Sequence, residues 1–385
     1  MRASHSLPQI LTRLRPSSSG LLASVLLILS ASSFAETRGY VFSNFHMATR
    51  RDSSDCPQGG NGDGTEILRR VLINLGYSKD EATAMLADRD QVRFIVKDAK
   101  GHLINTDARG HLNGQPVSIS LFPASVPDPH IETVQGHFAY GFNLAGHATA
   151  DAFEDPDTHE PVENQLWRVF GCFKRYQQPL LEMSGGWDYV FDAMPVWLIS
   201  ISGSDLSKDG DVTVTFDRSL NVGMRNVHGK ALSGASYTID PDPRSHSVFK
   251  GRLRNHVVTV EPGNFFMQGE QPFYQVIRFT QTHLRLTLNA NGSLSGFIGG
   301  YQPWLDVFDH SHGEDPAGVN LPGVYYAMKR LADGAPDPAT GQNMAISAAY
   351  YLEAVPAFIV NGADKVVSIA YMGDAAPRMG DAASR

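Results

Sequence analysis

Asp306, Asp309, His310, His312 and Glu314 make up the densest group of potential metal ligands in the chain. An HxH pair on a strand places both imidazoles on one face, and nearby carboxylates complete a Zn²⁺ or Fe²⁺ site. Ser311, Gly313 and Pro316 share the stretch, and loops collect such residues for turn chemistry alone. A divalent metal held by His310, His312, Asp306 and Asp309 is therefore an expectation that stands beside a plain polar loop. His283, on the polar face of the preceding hairpin, is a more distant residue that could reach the same ions.

Other patterns carry less chemistry. Asp205-Leu206-Ser207-Lys208-Asp209-Gly210-Asp211 has the oxygens and glycine of half a calcium loop, but Phe216 stands where a bidentate Glu belongs. A polar turn entering a strand explains it better. The acidic stretch Asp151–Glu163 reads as a solvated charged face. Ser247-Val248-Phe249-Lys250 has SxxK spacing without SDN or KTG, and Gly292-Ser293-Leu294-Ser295-Gly296 places Leu where GxSxG needs its nucleophile. Neither GxGxxG nor GxxxxGK[ST] occurs, so the nucleotide sites those motifs mark are not expected, and without CxxCH neither is c-type haem. No catalytic constellation is assignable, and a divalent metal is the one cofactor with candidate ligands.

The N-terminus is a targeting segment. Arg2, Arg13 and Arg15 precede the apolar run Leu21–Leu29, and small residues follow to Ser33-Phe34-Ala35. This is the pattern of a secretory signal peptide cleaved after Ala35. The apolar run falls short of the ~20 residues of a spanning helix, and no second such run follows. The mature chain is expected to be exported, periplasmic or extracellular, with no membrane span. The formal net charge is −8, and loss of three arginines with the leader makes it more negative. That disfavours nucleic acid and anionic membrane surfaces as partners, and neither is expected. In an oxidising compartment Cys56 and Cys172, the only two cysteines, are expected to form a disulfide.

The elements that must position these residues are mostly strands. The clearest is the hairpin Gln275–Trp304, where Leu284, Leu286 and Leu288 alternate with His283, Arg285 and Thr287 around an Asn291-Gly292 turn. A three-residue loop, Ala290-Asn291-Gly292, sets Leu288 against Leu294, Leu286 against Gly296 and Leu284 against Ile298. A two-residue loop would mix the apolar and polar faces. Gly296, Gly299 and Gly300 mark bends, bulges or close contacts. Further strands are expected at Gly39–Phe45, Val92–Val96, Val117–Phe122, Gly136–Leu144, Trp187–Ser202, Val212–Phe216, Ser236–Ile239 and Val257–Val260. Helices are expected at Thr65–Leu75, from Ser78 with Glu81 as a capping box, at Asn164–Tyr176, and at Gly323–Ala332. Ala99–Leu103 and Ala108–Leu112 echo each other without making a repeat. Loop is expected beyond Trp304, a break near Pro356 within the ambiguous Met344–Val360, and a disordered tail over Asp374–Arg385.

The pattern predicts an α+β chain, predominantly antiparallel β, with a sandwich- or barrel-like core and a few added short helices. After the signal peptide (1–35), residues 36–373 form one large region, or two split near 203–210. The expected function is binding of a small ligand, a glycan or a partner protein. Aromatics such as Tyr301, Trp304, Phe308 and Tyr351 offer a platform for flat ligands, though most aromatics in β-proteins are core. The rival is a secreted metal-dependent or serine-type hydrolase with its site near Asp306–Glu314.

Overall fold

The computed structural model describes residues 35–62, 69, 72–73, 76–87, 109–118, 121–183, 186–268, 276–314, 321–362 and 366–368 (side chains at 109, 110, 116, 118, 310–314 and 366–368 excepted). Eight strands form a closed antiparallel barrel: β1 (Glu36–Met47), β2 (Pro195–Gly203), β3 (Gly210–Val222), β4 (His246–Arg254), β5 (Val257–Val260), β6 (Val276–Leu288), β7 (Leu294–Pro303) and β8 (Asn343–Val360). Each pairs with the next in sequence, and β8 pairs with β1 from Tyr40↔Pro356 to Met47↔Tyr350. This is the up-and-down arrangement, in which closure removes the exposed strand edges.

The β6–β7 hairpin has the three-residue register that parity favours. Leu288 faces Leu294, Leu286 faces Gly296 and Leu284 faces Ile298. All five apolar residues of these pairs are buried. Gly292 takes the left-handed conformation (φ 83°), and Asn291 accepts bonds from Ser293 N and Oγ at 3.0 and 2.7 Å, so turn chemistry accounts for the Asn-Gly-Ser sequence.

Inward-facing residues alternate along every stave and fill the barrel with rings. Phe216 stands edge-on to Phe265 (5.1 Å) and Phe45 stacks on Tyr350 (5.1 Å). Helix α3 (Trp187–Ala193) plugs one end, its Trp187 lying 5.6 Å from Trp197. A cavity of about 20 Å³ bounded by Ile277, Gln302, Tyr350 and Asp306 has room for one water. Outside, β4 presents Lys250, Arg252 and Arg254 to solvent, unlike the apolar band of a lipid-facing barrel. Among the described residues no helix is long and apolar enough to cross a membrane.

The longest departure from the meander is the segment joining β1 to β2. It carries α1 (Lys79–Met85) with the expected Ser78–Glu81 capping box, and α2 (Gln165–Phe170). The Cys56–Cys172 disulfide forms within it, with Cα atoms 5.7 Å apart. Two more helices, α4 (Trp304–Glu314) and α5 (Leu321–Leu331), lie between β7 and β8.

Several expectations are corrected. Trp187–Ser202 is not one strand: Trp187, Val190 and Phe191 bury one helical face in α3, a spacing hidden by aromatic and β-branched residues, and β2 starts at Pro195. Asn164–Tyr176 is helical only to Phe170, with a 3₁₀ turn at Lys174–Tyr176. Gly136–Leu144 forms isolated bridges instead of a strand, and Val117 and Ser118 of Val117–Phe122 belong to the short pair Arg109–Leu112/Gln115–Ser118. The stretch after Trp304 is helix α4, because Trp304, Val307 and Phe308 recur at helical spacing and are buried. Pro356 does not break β8: it pairs with Tyr40, and its carbonyl accepts Gly234 N–H at 2.7 Å. Residues 203–210 connect β2 to β3, two neighbouring staves. Met1–Phe34, most of Thr65–Leu75, Val92–Val96, the first of the two echoing segments and the C-terminal tail lie outside the described residues.

Candidate functional site

Where charge is buried, and whether anything balances it, singles out one place on the outer wall of the barrel. Gly299 and Ala349 leave a shallow trough on the outside of β7 and β8. The Phe142 ring of the β1–β2 segment lies in it, so close that a Cβ on Gly299 would sit 2.8 Å from the ring. Tyr140 stacks on Phe297 (4.7 Å), and Tyr351 lies beside Phe297 (5.4 Å). The covering segment is thereby fixed to the wall, and with it the acids it carries.

Most buried acids here have a cation. Asp155 meets Arg285 at 2.8 Å, Asp240 pairs with Arg218, and Asp217 contacts His246 Nδ1 at 2.7 Å. Asp55 has Arg50 acting on it from nearby, although its Oδ1 is buried without a partner. Glu163, and the half-buried Asp333, have none among the described residues. Glu163, 3% exposed, accepts Leu144 N–H at 2.7 Å through Oε2, while Oε1 is buried with no hydrogen-bond partner. Asp333, in the turn from α5 to β8, accepts Ser347 N–H at 2.7 Å.

Hydrogen bonds tie Asp333 to the backbone next to Glu163. Ser347 Oγ accepts Gln165 N–H at 2.9 Å, tying the start of α2, two residues beyond Glu163, to Asp333's own partner. Tyr301 pairs with Ser347 across β7 and β8, so their side chains share the outer face. Its ring lies against Gly334, where a Cβ would stand 2.4 Å from the ring. Burial pushes the Asp333 carboxyl up to about 6, Glu163 adding to the rise against the hydrogen bonds from Ser347. Burial, then Asp333 and Glu163, push the Tyr301 phenol up to about 12. Glu163, Tyr301, Asp333 and Ser347 thus lie near one another on the outer wall, each offering oxygen.

The residues singled out by sequence are placed differently. Asp306 faces Arg278, whose Nε donates to it at 3.0 Å, at the mouth of the barrel. Asp309 is on the exposed side of α4. His310 and His312 fall on helical backbone, which sets their positions about 200° apart around the axis instead of on one strand face. Their side chains, and that of Glu314, lie outside the described residues. His283 stacks on Phe142 at 5.6 Å, and burial lowers its pKa. No group of three or more His, Cys, Asp or Glu positioned for a metal occurs among the described residues. Asp205 closes a polar turn with Ser207 N–H (3.0 Å) and Lys208 (2.5 Å), as its turn reading expects. Ser247 and Lys250 sit on opposite faces of β4, and Ser247 Oγ is bonded to Phe266. The aromatics make no exposed platform: Trp304 and Phe308 are buried against Tyr325, and Tyr350 is inside the barrel.

The sequence held one faint sign of this group. Glu163 directly precedes Asn164, whose side chain caps α2 through Trp167 N–H at 3.0 Å, so an acid at that point is held by a rigid turn. Nothing linked it to Asp333. Comparison with protein-family models, characterised proteins and solved structures finds no match to this chain.

Proposed function

We propose that this chain is an exported binding protein in which the barrel is a scaffold and the ligand is held on the outer wall, at Glu163, Tyr301, Asp333 and Ser347. The observation that carries this reading is a buried carboxylate, Glu163, near a half-buried one, Asp333, with no cation in contact with either among the described residues. An acid held away from water without a cation is disfavoured as the anion, so this pair suits a positively charged or proton-donating occupant. The ring-filled interior argues against a ligand inside the barrel. Export is supported by the leader-like N-terminus and by a disulfide, a bond that persists in oxidising compartments. The hydrolase reading is less well supported, because Asp306 of its ligand set is already bonded to Arg278.

A thermal-shift panel of primary amines, guanidinium compounds, neutral sugars and divalent cations tests this on purified protein. Stabilisation by at least one class is expected, lost on Glu163→Gln with Asp333→Asn and retained on His310→Ala with His312→Ala. The reverse dependence would move the site to α4. No stabilisation by any class would remove the binding reading.

A further inference from the structure

We propose that the seat of the β1–β2 segment on the barrel wall is acid-sensitive: protonation of His46 and His283 loosens the contact that Phe142 and Leu180 make there. The register of the outer wall sets the two histidines at the margins of one apolar patch. His46 of β1 lies opposite Tyr351 of β8, Tyr351 opposite Phe297 of β7, and Phe297 opposite Arg285 of β6. Two residues along, His283 of β6 stands opposite Gly299, and Gly299 opposite Ala349. From the β1–β2 segment, Phe142 and Leu144, both buried, and the partly buried Leu180 pack onto this patch.

Neither imidazole has a carboxylate to receive its charge among the described residues. His46 is 2% exposed and donates Nδ1–H to the Met47 carbonyl at 2.7 Å, so Nε2 is its bare nitrogen, buried with no hydrogen-bond partner. The strap 178–183 is fastened to β1 and its continuation on either side of this ring. Asn44 Nδ2 donates to the Met183 carbonyl at 3.0 Å, and Thr49 Oγ to the Gln178 carbonyl at 3.1 Å. A second proton would have to enter at Nε2, with the Tyr351 ring 5.5 Å away. His283, half-buried, stacks on Phe142 at 5.6 Å. The charged and titratable groups around the two rings are Arg285, which reaches Asp155 at 2.8 Å, and Tyr351, whose hydroxyl donates to Glu353 at 3.3 Å. Burial lowers both imidazoles from the ordinary 6.5; the Met47 and Leu180 carbonyls offset it only in part at His46, and no side-chain charge contributes at either. Above pH 6.5 both rings are neutral whether the segment is seated or lifted, and closure is full. As pH falls below that value the lifted state takes up protons that the seated one resists, so closure weakens.

The test is hydrogen exchange of the oxidised full chain, followed by mass spectrometry from pH 7 to pH 5 with rates corrected for intrinsic exchange. Asp333, raised by burial, is expected to stabilise the fold as pH falls, so the readout is local opening and not global melting. Protection of peptides covering 138–145 and 178–183 should fall about tenfold over that range, while peptides from β7 keep theirs. His46→Asn retains a side-chain N–H for the Met47 carbonyl, His283→Phe retains the stack on Phe142, and neither new side chain titrates. The double variant should therefore keep both peptides protected at pH 5. Should it fail to fold, the imidazole proton resonances of the wild type decide: both rings are expected to titrate below pH 6.5. Three results would each overturn the proposal: protection in the wild type that does not change with pH, an equal loss in the folded double variant, or rings that titrate at or above the ordinary value. None of these outcomes depends on ligand binding at Glu163 and Asp333, so the acid response can fail while that reading stands.

Discussion

A carboxylic acid held partly away from water without a counterion keeps its proton to higher pH than it does in water. Asp333 is such a group, raised to about 6 from an ordinary value near 4. Between those values the folded chain binds more protons than the unfolded one, so stability falls as pH rises through the window. In metal-free buffer the loss should reach about 2 kcal/mol between pH 4 and pH 7, read as a falling denaturation midpoint, and Asp333→Asn should flatten that limb. Burial sets most of the effect, with Glu163 adding to it and the Ser347 hydrogen bonds opposing it. At the same scale, Gly296 is fixed by space: a Cβ there would stand 2.1 Å from the Arg285 carbonyl oxygen. Gly296→Ala is expected to destabilise by about 2–3 kcal/mol in urea titration, whereas Gly210→Ala, with open space around it, should change little. Residue types alone made Gly296 legible as a close contact. They could not reveal the Glu163–Asp333 pair, because acids far apart in the chain become neighbours only through the pairing of β7 with β8 and the seating of α2.

At the scale of elements, the hairpin was readable to the residue because side chains alternate with a period of two, and only one register buries Leu284, Leu286 and Leu288 together. Helix α4 was not: its buried positions Trp304, Val307 and Phe308 precede loop-forming Ser311 and Gly313, and the polar half outweighed the apolar one. β8 was ambiguous for a related reason. Its alanines and Pro356 argue against a strand, yet small residues are what a wall packed on both sides requires, with Phe142 outside and the ring cluster inside. The β1–β2 segment is held to this wall by one charged contact as well as by rings. Arg285 lies 5.1 Å over the Phe297 ring while reaching the fully buried Asp155. Arg285→Met would keep much of the stem but leave Asp155 buried and unpaired, so a loss of about 3 kcal/mol is expected. Adding Asp155→Asn should recover part of it, a double-mutant cycle that reports the coupling directly.

For the whole molecule, composition and turn spacing were enough to indicate an antiparallel β core with few helices, but not to choose between sandwich and barrel. That choice depends on whether the first strand meets the last, a contact that leaves no local trace. The disulfide belongs to the same scale. Cys56 and Cys172 are 116 residues apart, and chain entropy assigns such a loop about 4–5 kcal/mol, an upper figure. Reduction should lower the unfolding free energy from chemical denaturation by up to that amount, and thiol titration of the denatured, unreduced protein should find no free thiol. Closure through β1 and β8 also dictates an order of events as the chain emerges. Both cysteines precede β2, so their bond can form while every later stave is still missing. The barrel itself must wait for residues 343–360, the last long strand. A chain halted before residue 343 would be oxidised yet open, with β1 and β7 presenting two unpaired edges to any neighbour, the form in which a nascent β-protein is most exposed to aggregation.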